Sequence, residues 1–118
     1  MIRIILILSL SFIISNSFAQ VDSALVIAKE VKERLNKGAN FCEMVRLYSE
    51  DTQTKANCGE LGLFGKGQLV RPYEDAMVKL KIGQISDIVK TGYGYHIIQL
   101  VSVEKKEYDT RHILIKYR

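Results

Sequence analysis

The sequence holds few of the side chains that bind metals or carry thiol chemistry. Its 118 residues include only two cysteines and two histidines, and no Cys-x-x-Cys motif is present. These ligands are too few, and too widely separated along the chain, for a finger-like zinc site. We therefore expect no metal centre in this protein.

The chain also lacks a concentrated tract of positive charge. Its formal net charge is +4 at pH 7, but lysines and arginines are scattered among acidic residues along the chain. Scattered charge of this kind is typical of a solvated surface rather than of a nucleic-acid interface. We therefore expect no nucleic-acid partner.

The N terminus carries a mostly apolar run, from Ile4 to Ile14, preceded by Arg3. This run is short for a membrane span, which needs roughly 20 apolar residues. Ser17-Phe18-Ala19 then gives a small-x-small cleavage pattern. Residues 1–19 are predicted to be a secretory signal peptide cleaved after Ala19, with an uncleaved membrane anchor as the alternative. The mature protein would be periplasmic or otherwise exported, without stable insertion in the membrane.

Two helices are predicted next. Apolar residues at three- and four-residue steps predict a first helix over about 22–38, with Gly38 at its end. Asn40 and Glu43 are spaced as in a capping box and predict a second, short helix through about Tyr48.

The remaining elements are punctuated by glycines and by Pro72, the only proline. The pattern of apolar runs and turn residues predicts, in order, strand Leu61–Phe64, helix Pro72–Leu80, and strands Ile88–Thr91 and Tyr95–Val103 around a turn at Gly92–Gly94.

Four short glycine-containing blocks follow one another between Asn57 and Leu100. They read Gly-Glu-Leu-Gly-Leu-Phe at 59–64, Gly-Gln-Leu-Val-Arg-Pro-Tyr-Glu-Asp-Ala at 67–76, Gly-Gln-Ile-Ser at 83–86 and Gly-Tyr-His-Ile-Ile at 94–98. In order and spacing these blocks resemble the signature of parvulin-type peptidyl-prolyl isomerases, the PpiC or rotamase family, and in particular exported chaperone-isomerases.

The resemblance implies an α+β fold for residues 20–118. In that fold a small antiparallel sheet of about four strands is covered by helices, and the first two helices lie over one face of the sheet. Parvulins begin with a strand that carries a His-Ile-Leu motif, yet this chain carries such a motif at Arg111–Lys116. Residues 110–118 are therefore either a permuted first strand that folds back into the sheet or the start of a truncated second repeat. We favour the fold-back, because an empty central position would leave backbone groups unpaired.

The resemblance also implies a set of site residues. His96 and His112 match the paired histidines of the two central strands, although two hydrogen-bonded core histidines without a catalytic role are an equal alternative. Asp51 matches a position that is cysteine or aspartate in the family, where a catalytic carboxylate would influence the polarisation of the substrate carbonyl; a solvated loop acid or turn cap is the alternative. Leu61, Leu69, Tyr73 and Thr91 match residues that surround the substrate proline, with ordinary core packing as the alternative for the first three.

Cys42 and Cys58 have two possible states. Export would allow them to form a disulfide, but the sequence does not show whether their Cα atoms are close enough. We favour two separate thiols. Cys58 also replaces a glycine that is usual in the family's first block, and a positive φ angle there would strain a cysteine.

The function implied by the resemblance is peptidyl-prolyl cis–trans isomerisation of unfolded or folding envelope proteins that contain X-Pro bonds. This reaction requires no cofactor. The alternative is a peptide-binding chaperone module with the same fold and without significant isomerase activity.

Overall fold

The computed structural model describes residues 22–118, so the predicted signal peptide lies outside the described residues. Helix α1 spans Ser23–Asn36 and begins at Asp22, whose Oδ1 accepts a hydrogen bond from the Ala24 N–H at 2.9 Å. Its buried residues recur every three or four positions: Ala24, Ala28, Val31 and Leu35. The predicted first helix is confirmed, and its periodic side chains form one apolar face.

Helix α2 spans Phe41–Tyr48. The Asn40 side chain caps it by accepting a hydrogen bond from the Glu43 N–H at 2.9 Å, as the spacing of these two residues predicts. A short 3-10 turn at Lys55–Asn57 follows within the polar segment after α2.

The sheet contains four antiparallel strands in the spatial order β1-β4-β3-β2. Their bounds are Glu60–Phe64 for β1, Val89–Thr91 for β2, Gly94–Glu104 for β3 and Glu107–Lys116 for β4. Helix α3, Arg71–Met77, lies between β1 and β2 in the chain and ends before the predicted Leu80. Lys79 and Leu80 instead donate to carbonyls three residues earlier, which closes the helix with a tight turn.

Strand β4 occupies a central position and is paired along both edges. On one side it pairs with β3 through almost its whole length, after a two-residue turn at Lys105 and Lys106. On the other side it pairs with β1 and then with the polar segment after α2, where the His112 N–H donates to the Gly59 carbonyl at 2.9 Å. The C-terminal segment thus satisfies the backbone groups of a position that would otherwise be empty.

The two faces of the sheet pack against different helices. Helices α1 and α2 cover the face that carries Tyr95, Ile97, Ile113 and Ile115. Because side chains alternate along a strand, His96, Ile98 and His112 lie on the opposite face, which α3 covers through Tyr73 and Met77. The α+β architecture with two helices over one face is confirmed. No helix within residues 22–118 is both long and apolar enough to cross a membrane.

Cys42 and Cys58 form a disulfide, with Cα atoms 4.6 Å apart. The prediction of two separate thiols is therefore wrong. The 3-10 turn at Lys55–Asn57 brings Cys58 back to the first turn of α2, and sequence spacing alone does not reveal that return. Cys58 has a φ angle of 55°, the left-handed conformation that a glycine adopts more readily.

Candidate active site

The two histidines lie side by side on the α3 face of the sheet. His96 is opposite Leu114 and His112 is opposite Ile98, so the two rings form a diagonal pair across β3 and β4. Their Nδ1 atoms are 3.0 Å apart and the ring planes are 22° from parallel. Both residues are buried, with relative exposures of 4% and 5%.

The outer nitrogen of each ring also has a partner. His112 Nε2 lies 2.7 Å from Asp51 Oδ2, and His96 Nε2 lies 2.7 Å from Thr91 Oγ1. Asp51 is held in turn by Thr54, whose hydroxyl donates to Oδ2 at 2.6 Å, and by the Gln53 N–H. The result is a continuous chain of hydrogen bonds from Asp51 to Thr91.

The environment keeps both rings neutral near pH 7. Burial, together with the adjacent His112 ring, lowers the pKa of His96 to about 4. Burial also lowers the pKa of His112, although Asp51 opposes that shift. For Asp51, burial would raise the pKa, but the hydrogen bonds from Thr54 and His112 outweigh it and lower the pKa. An ionised Asp51 therefore faces a neutral imidazole.

These charge states determine the direction of every hydrogen bond between Asp51 and Thr91. The Asp51 carboxylate only accepts, so His112 Nε2–H donates to it and His112 Nδ1 is left as an acceptor. His96 Nδ1–H must then donate to His112, which leaves His96 Nε2 to accept from the Thr91 hydroxyl. The Thr91 oxygen accepts from the Tyr93 N–H at 3.1 Å. We thus assign one tautomer to each ring, and every nitrogen is satisfied.

Tyr73 closes the site from α3. Its ring stands edge-on to both imidazoles, with centroid distances of 5.4 Å to His96 and 5.7 Å to His112. Its hydroxyl is 2.7 Å from Thr110 Oγ1, so the polar end of this buried ring has a partner. Burial raises the pKa of Tyr73, which keeps the phenol protonated.

A cleft of about 520 Å³ opens beside the histidine pair. Leu61, Leu69 and Tyr73 line it together with His96 and His112, and Asp51 borders it. Leu61 comes from β1, Leu69 from the loop before α3, and Tyr73 from α3. Other side chains that line the cleft were not predicted as site residues: Glu50, Thr52, Gln53, Gln68, Val70, Leu114 and Lys116. Tyr93, which is 64% exposed, stands at its rim.

Thr91 lies behind the histidine pair, apart from the cleft. The resemblance implies a threonine that touches the substrate, but Thr91 is buried and does not line the cleft. Its hydroxyl lies behind His96, because β2 is the edge strand next to β3 and turns this side chain toward the ring. Thr91 is therefore placed to orient His96 rather than to contact a substrate.

Thr54 and Thr110 were not predicted as site residues either, although they contact Asp51 and Tyr73. Thr110 could have been found from strand alternation, since it precedes His112 by two residues and shares its face. The spacing of Asp51 and Thr54 is typical of a side chain that caps a turn, and this was the available signal for Thr54. Among residues 22–118, no group of three or more His, Cys, Asp or Glu side chains is placed to hold a metal ion.

Comparisons with known proteins point to one family. The sequence pattern of the PPIC-type PPIASE domain matches residues 1–106, a range that ends before β4. The chain is 50% identical over 80 residues to the foldase protein PrsA of Geobacillus kaustophilus, and equally to foldase protein PrsA 4 of Bacillus cereus. Each alignment covers 68% of this chain and 28% of the relative.

Two crystal structures of PrsA proteins are also similar to this chain. A crystal structure of the peptidylprolyl isomerase PrsA from Bacillus cereus matches with a TM-score of 0.66 at 46% identity, over 68% of this chain and 31% of that one. The corresponding protein from Bacillus anthracis matches with a TM-score of 0.57 at 35% identity, over 77% of this chain and 36% of that one. The matched part of this chain thus spans about a third of these relatives, or less.

Proposed function

The chain belongs to the PPIC-type peptidyl-prolyl isomerase domain family, and from that premise we propose that it catalyses the cis–trans isomerisation of X-Pro bonds in unfolded or partly folded polypeptides. The observation that carries this proposal is the convergence of Leu61, Leu69 and Tyr73 on one cleft beside the histidine pair.

The chemistry of the reaction suits such a site. Amide resonance sets a rotation barrier of ~18–20 kcal/mol, whereas the cis and trans forms of an X-Pro bond differ by only ~0.5–1 kcal/mol. The obstacle is therefore kinetic, and rotation requires neither a nucleophile nor a redox group. A catalyst needs only to bind the twisted amide better than the planar one.

Each part of the cleft has a role in this proposal. Leu61, Leu69 and Tyr73 enclose the pyrrolidine ring and exclude water from one side of the amide. His96 and His112, the proposed catalytic pair, form the floor on which the amide rotates. Neutral imidazoles of fixed tautomer stay in place without adding charge, because the hydrogen-bond chain from Asp51 to Thr91 holds both rings. Asp51 anchors that chain and borders the cleft.

We further propose that residues 20–118 form one domain with β4 as its permuted first strand. The pairing of β4 along both edges supports this assignment. The N-terminal sequence pattern supports export with cleavage after Ala19. The substrates would then be polypeptides that fold outside the cytoplasm.

A prolyl-peptide isomerisation assay with matched variants tests the activity. Leu69 lies in a loop and is only half-buried, so Leu69→Ala removes cleft surface without opening the core. Val26→Ala removes a similar apolar side chain that is 52% exposed on α1, away from the cleft. We expect acceleration by the wild-type chain and by Val26→Ala, and strongly reduced acceleration by Leu69→Ala. Peptide binding without acceleration in the wild-type chain would instead indicate the chaperone alternative.

A further inference from the structure

The Ser49–Gly59 loop connects α2 to β1. It contacts His112 and Leu114, two buried residues in the C-terminal half of β4. It reaches His112 twice: Asp51 accepts from the His112 ring at 2.7 Å, and the Gly59 carbonyl accepts from the His112 N–H at 2.9 Å. It also reaches Leu114 twice, since Ser49 Oγ accepts from the Leu114 N–H and the Glu50 N–H donates to the Leu114 carbonyl. The loop thus acts as an irregular neighbouring strand for this part of β4.

The disulfide ties the C-terminal end of this loop to the first turn of α2. Cys42 lies in the first turn of α2, where Phe41, Met44 and Val45 anchor the helix in the core. Cys58 directly precedes Gly59, at which a Cβ atom would collide with the carbonyl of His112. The bridge therefore links a helix that is anchored in the core to the residue next to a close backbone contact between the loop and β4.

The conformation of Cys58 is a second, independent indication that this residue serves to hold the loop to α2. Its φ angle of 55° lies in the left-handed region, which disfavours any residue with a side chain. A glycine would relieve that strain, yet a glycine cannot hold the loop to α2. The bridge compensates locally for an unfavourable backbone conformation at the edge of the site.

We propose that Cys42 and Cys58 are positioning residues, whose disulfide holds Asp51 and Gly59 against His112 and so fixes the tautomers of the histidine pair. This inference rests on the proposed isomerase function of the same site. Without the bridge, the loop keeps only its non-covalent contacts, and the acceptor of the His112 Nε2–H becomes displaceable.

The redox step is ordinary thiol–disulfide exchange. A dithiol reductant such as dithiothreitol gives two electrons and two protons to the bridge, the sulfur–sulfur bond breaks, and two thiols form while the reductant closes its own disulfide. Both cysteines are only partly buried, so a small dithiol can reach them.

A thermodynamic cycle that combines Asp51→Asn with reduction of the disulfide separates an effect of the bridge on Asp51 from an effect on the stability of the whole fold. The kcat/KM for a prolyl peptide is measured for the wild-type chain and for Asp51→Asn, each oxidised and reduced, below the unfolding temperature of all four species. If the bridge acts through Asp51, reduction lowers kcat/KM of the wild-type chain roughly tenfold and changes that of Asp51→Asn less than about twofold. An equal loss in both backgrounds, no loss in the wild-type chain, or unfolding of the reduced chain overturns the inference.

A spectroscopic measurement keeps the test independent of the activity. Nitrogen-15 spectra of the imidazoles should show His112 protonated at Nε2 and His96 at Nδ1 in the oxidised chain, and a tautomer mixture after reduction. The double variant Cys42→Ser with Cys58→Gly should resemble the reduced chain with or without dithiothreitol. Absence of isomerase activity with these spectral changes contradicts the proposed function only, whereas unchanged tautomers on reduction contradict the role of the bridge.

Discussion

The Nδ1 atoms of His96 and His112 lie 3.0 Å apart, so one ring donates to the other. The Asp51 carboxylate, at one end of the hydrogen-bond chain, decides which ring is the donor, and the Thr91 hydroxyl at the other end donates to His96 Nε2. The two imidazoles are therefore coupled. A substitution of Asp51 or Thr91 is expected to change the orientation of both rings beside the cleft.

Replacement of Thr91 by valine should impair catalysis while the fold is retained. Valine preserves the shape of this buried side chain but removes the hydroxyl that donates to His96 Nε2. We expect kcat/KM to fall roughly tenfold, the equivalent of one hydrogen bond worth about 1.4 kcal/mol. Thr91→Ser keeps the hydroxyl and should retain most of the activity in the same assay. Equal activity of the two variants would contradict the role assigned to Thr91.

The histidine pair should make stability depend on pH. The pKa of His96 is lowered from 6.5 to about 4, so between these values the unfolded chain binds more protons than the folded chain. The free energy of unfolding must then fall as the pH drops from about 7 to 4, by on the order of 3 kcal/mol from His96.

Urea denaturation at several pH values measures this dependence. The variant His96→Gln carries no titrating ring at this position and should show a shallower decline over the same range. A decline as steep as that of the wild-type chain would mean that other groups cause it.

Two substitutions of Tyr73 should distinguish the contribution of its ring from that of its hydroxyl. Tyr73→Phe keeps the apolar surface and leaves the Thr110 hydroxyl without its partner, so it should cost about 1 kcal/mol of stability and little activity. Tyr73→Leu removes the aromatic edge against both histidines and should reduce kcat/KM much more. Thermal unfolding and the peptide assay check the two effects separately. If Tyr73→Phe abolished activity, the hydroxyl rather than the ring would be the functional group.

Substitutions in the turn between β3 and β4 should increase the stability of the fold. Lys105 and Lys106 have φ angles of 49° and 64°, which suit asparagine and glycine better than lysine. Lys105→Asn with Lys106→Gly should raise the free energy of unfolding by about 1 kcal/mol, because both substitutions relieve strain in the left-handed backbone conformation. Neither lysine lines the cleft, so kcat/KM should not change. Loss of stability in urea would show that this turn does not limit the hairpin.

Local features were predictable from the sequence, and long-range ones were predictable only in part. The capping residues Asp22 and Asn40 define the starts of α1 and α2 because a cap acts within three residues. The disulfide was misjudged because it depends on a turn that has no strong periodic signal. The place of β4 depends on pairing with residues far away in the chain, and only the cost of an empty central position favoured it beforehand.

The same division applies to the site. The histidines and the apolar lining residues stand in motifs that resemble the signature of the family, so they could be named in advance. Thr54, Thr110 and the orienting position of Thr91 follow from how side chains meet across strands and loops. These contacts depend on register, which the residue pattern of one strand does not determine.

Exchange spectroscopy on a proline-containing peptide, with a catalytic amount of the protein, tests the central claim most directly. Uncatalysed X-Pro bonds interconvert over tens to hundreds of seconds. We predict that the protein makes the cis and trans signals exchange within the measurement, and that amide signals of Leu61, Leu69 and His96 shift on titration with the peptide. Exchange at the uncatalysed rate while those same signals shift would contradict the account, because the cleft would then bind proline without helping it to rotate.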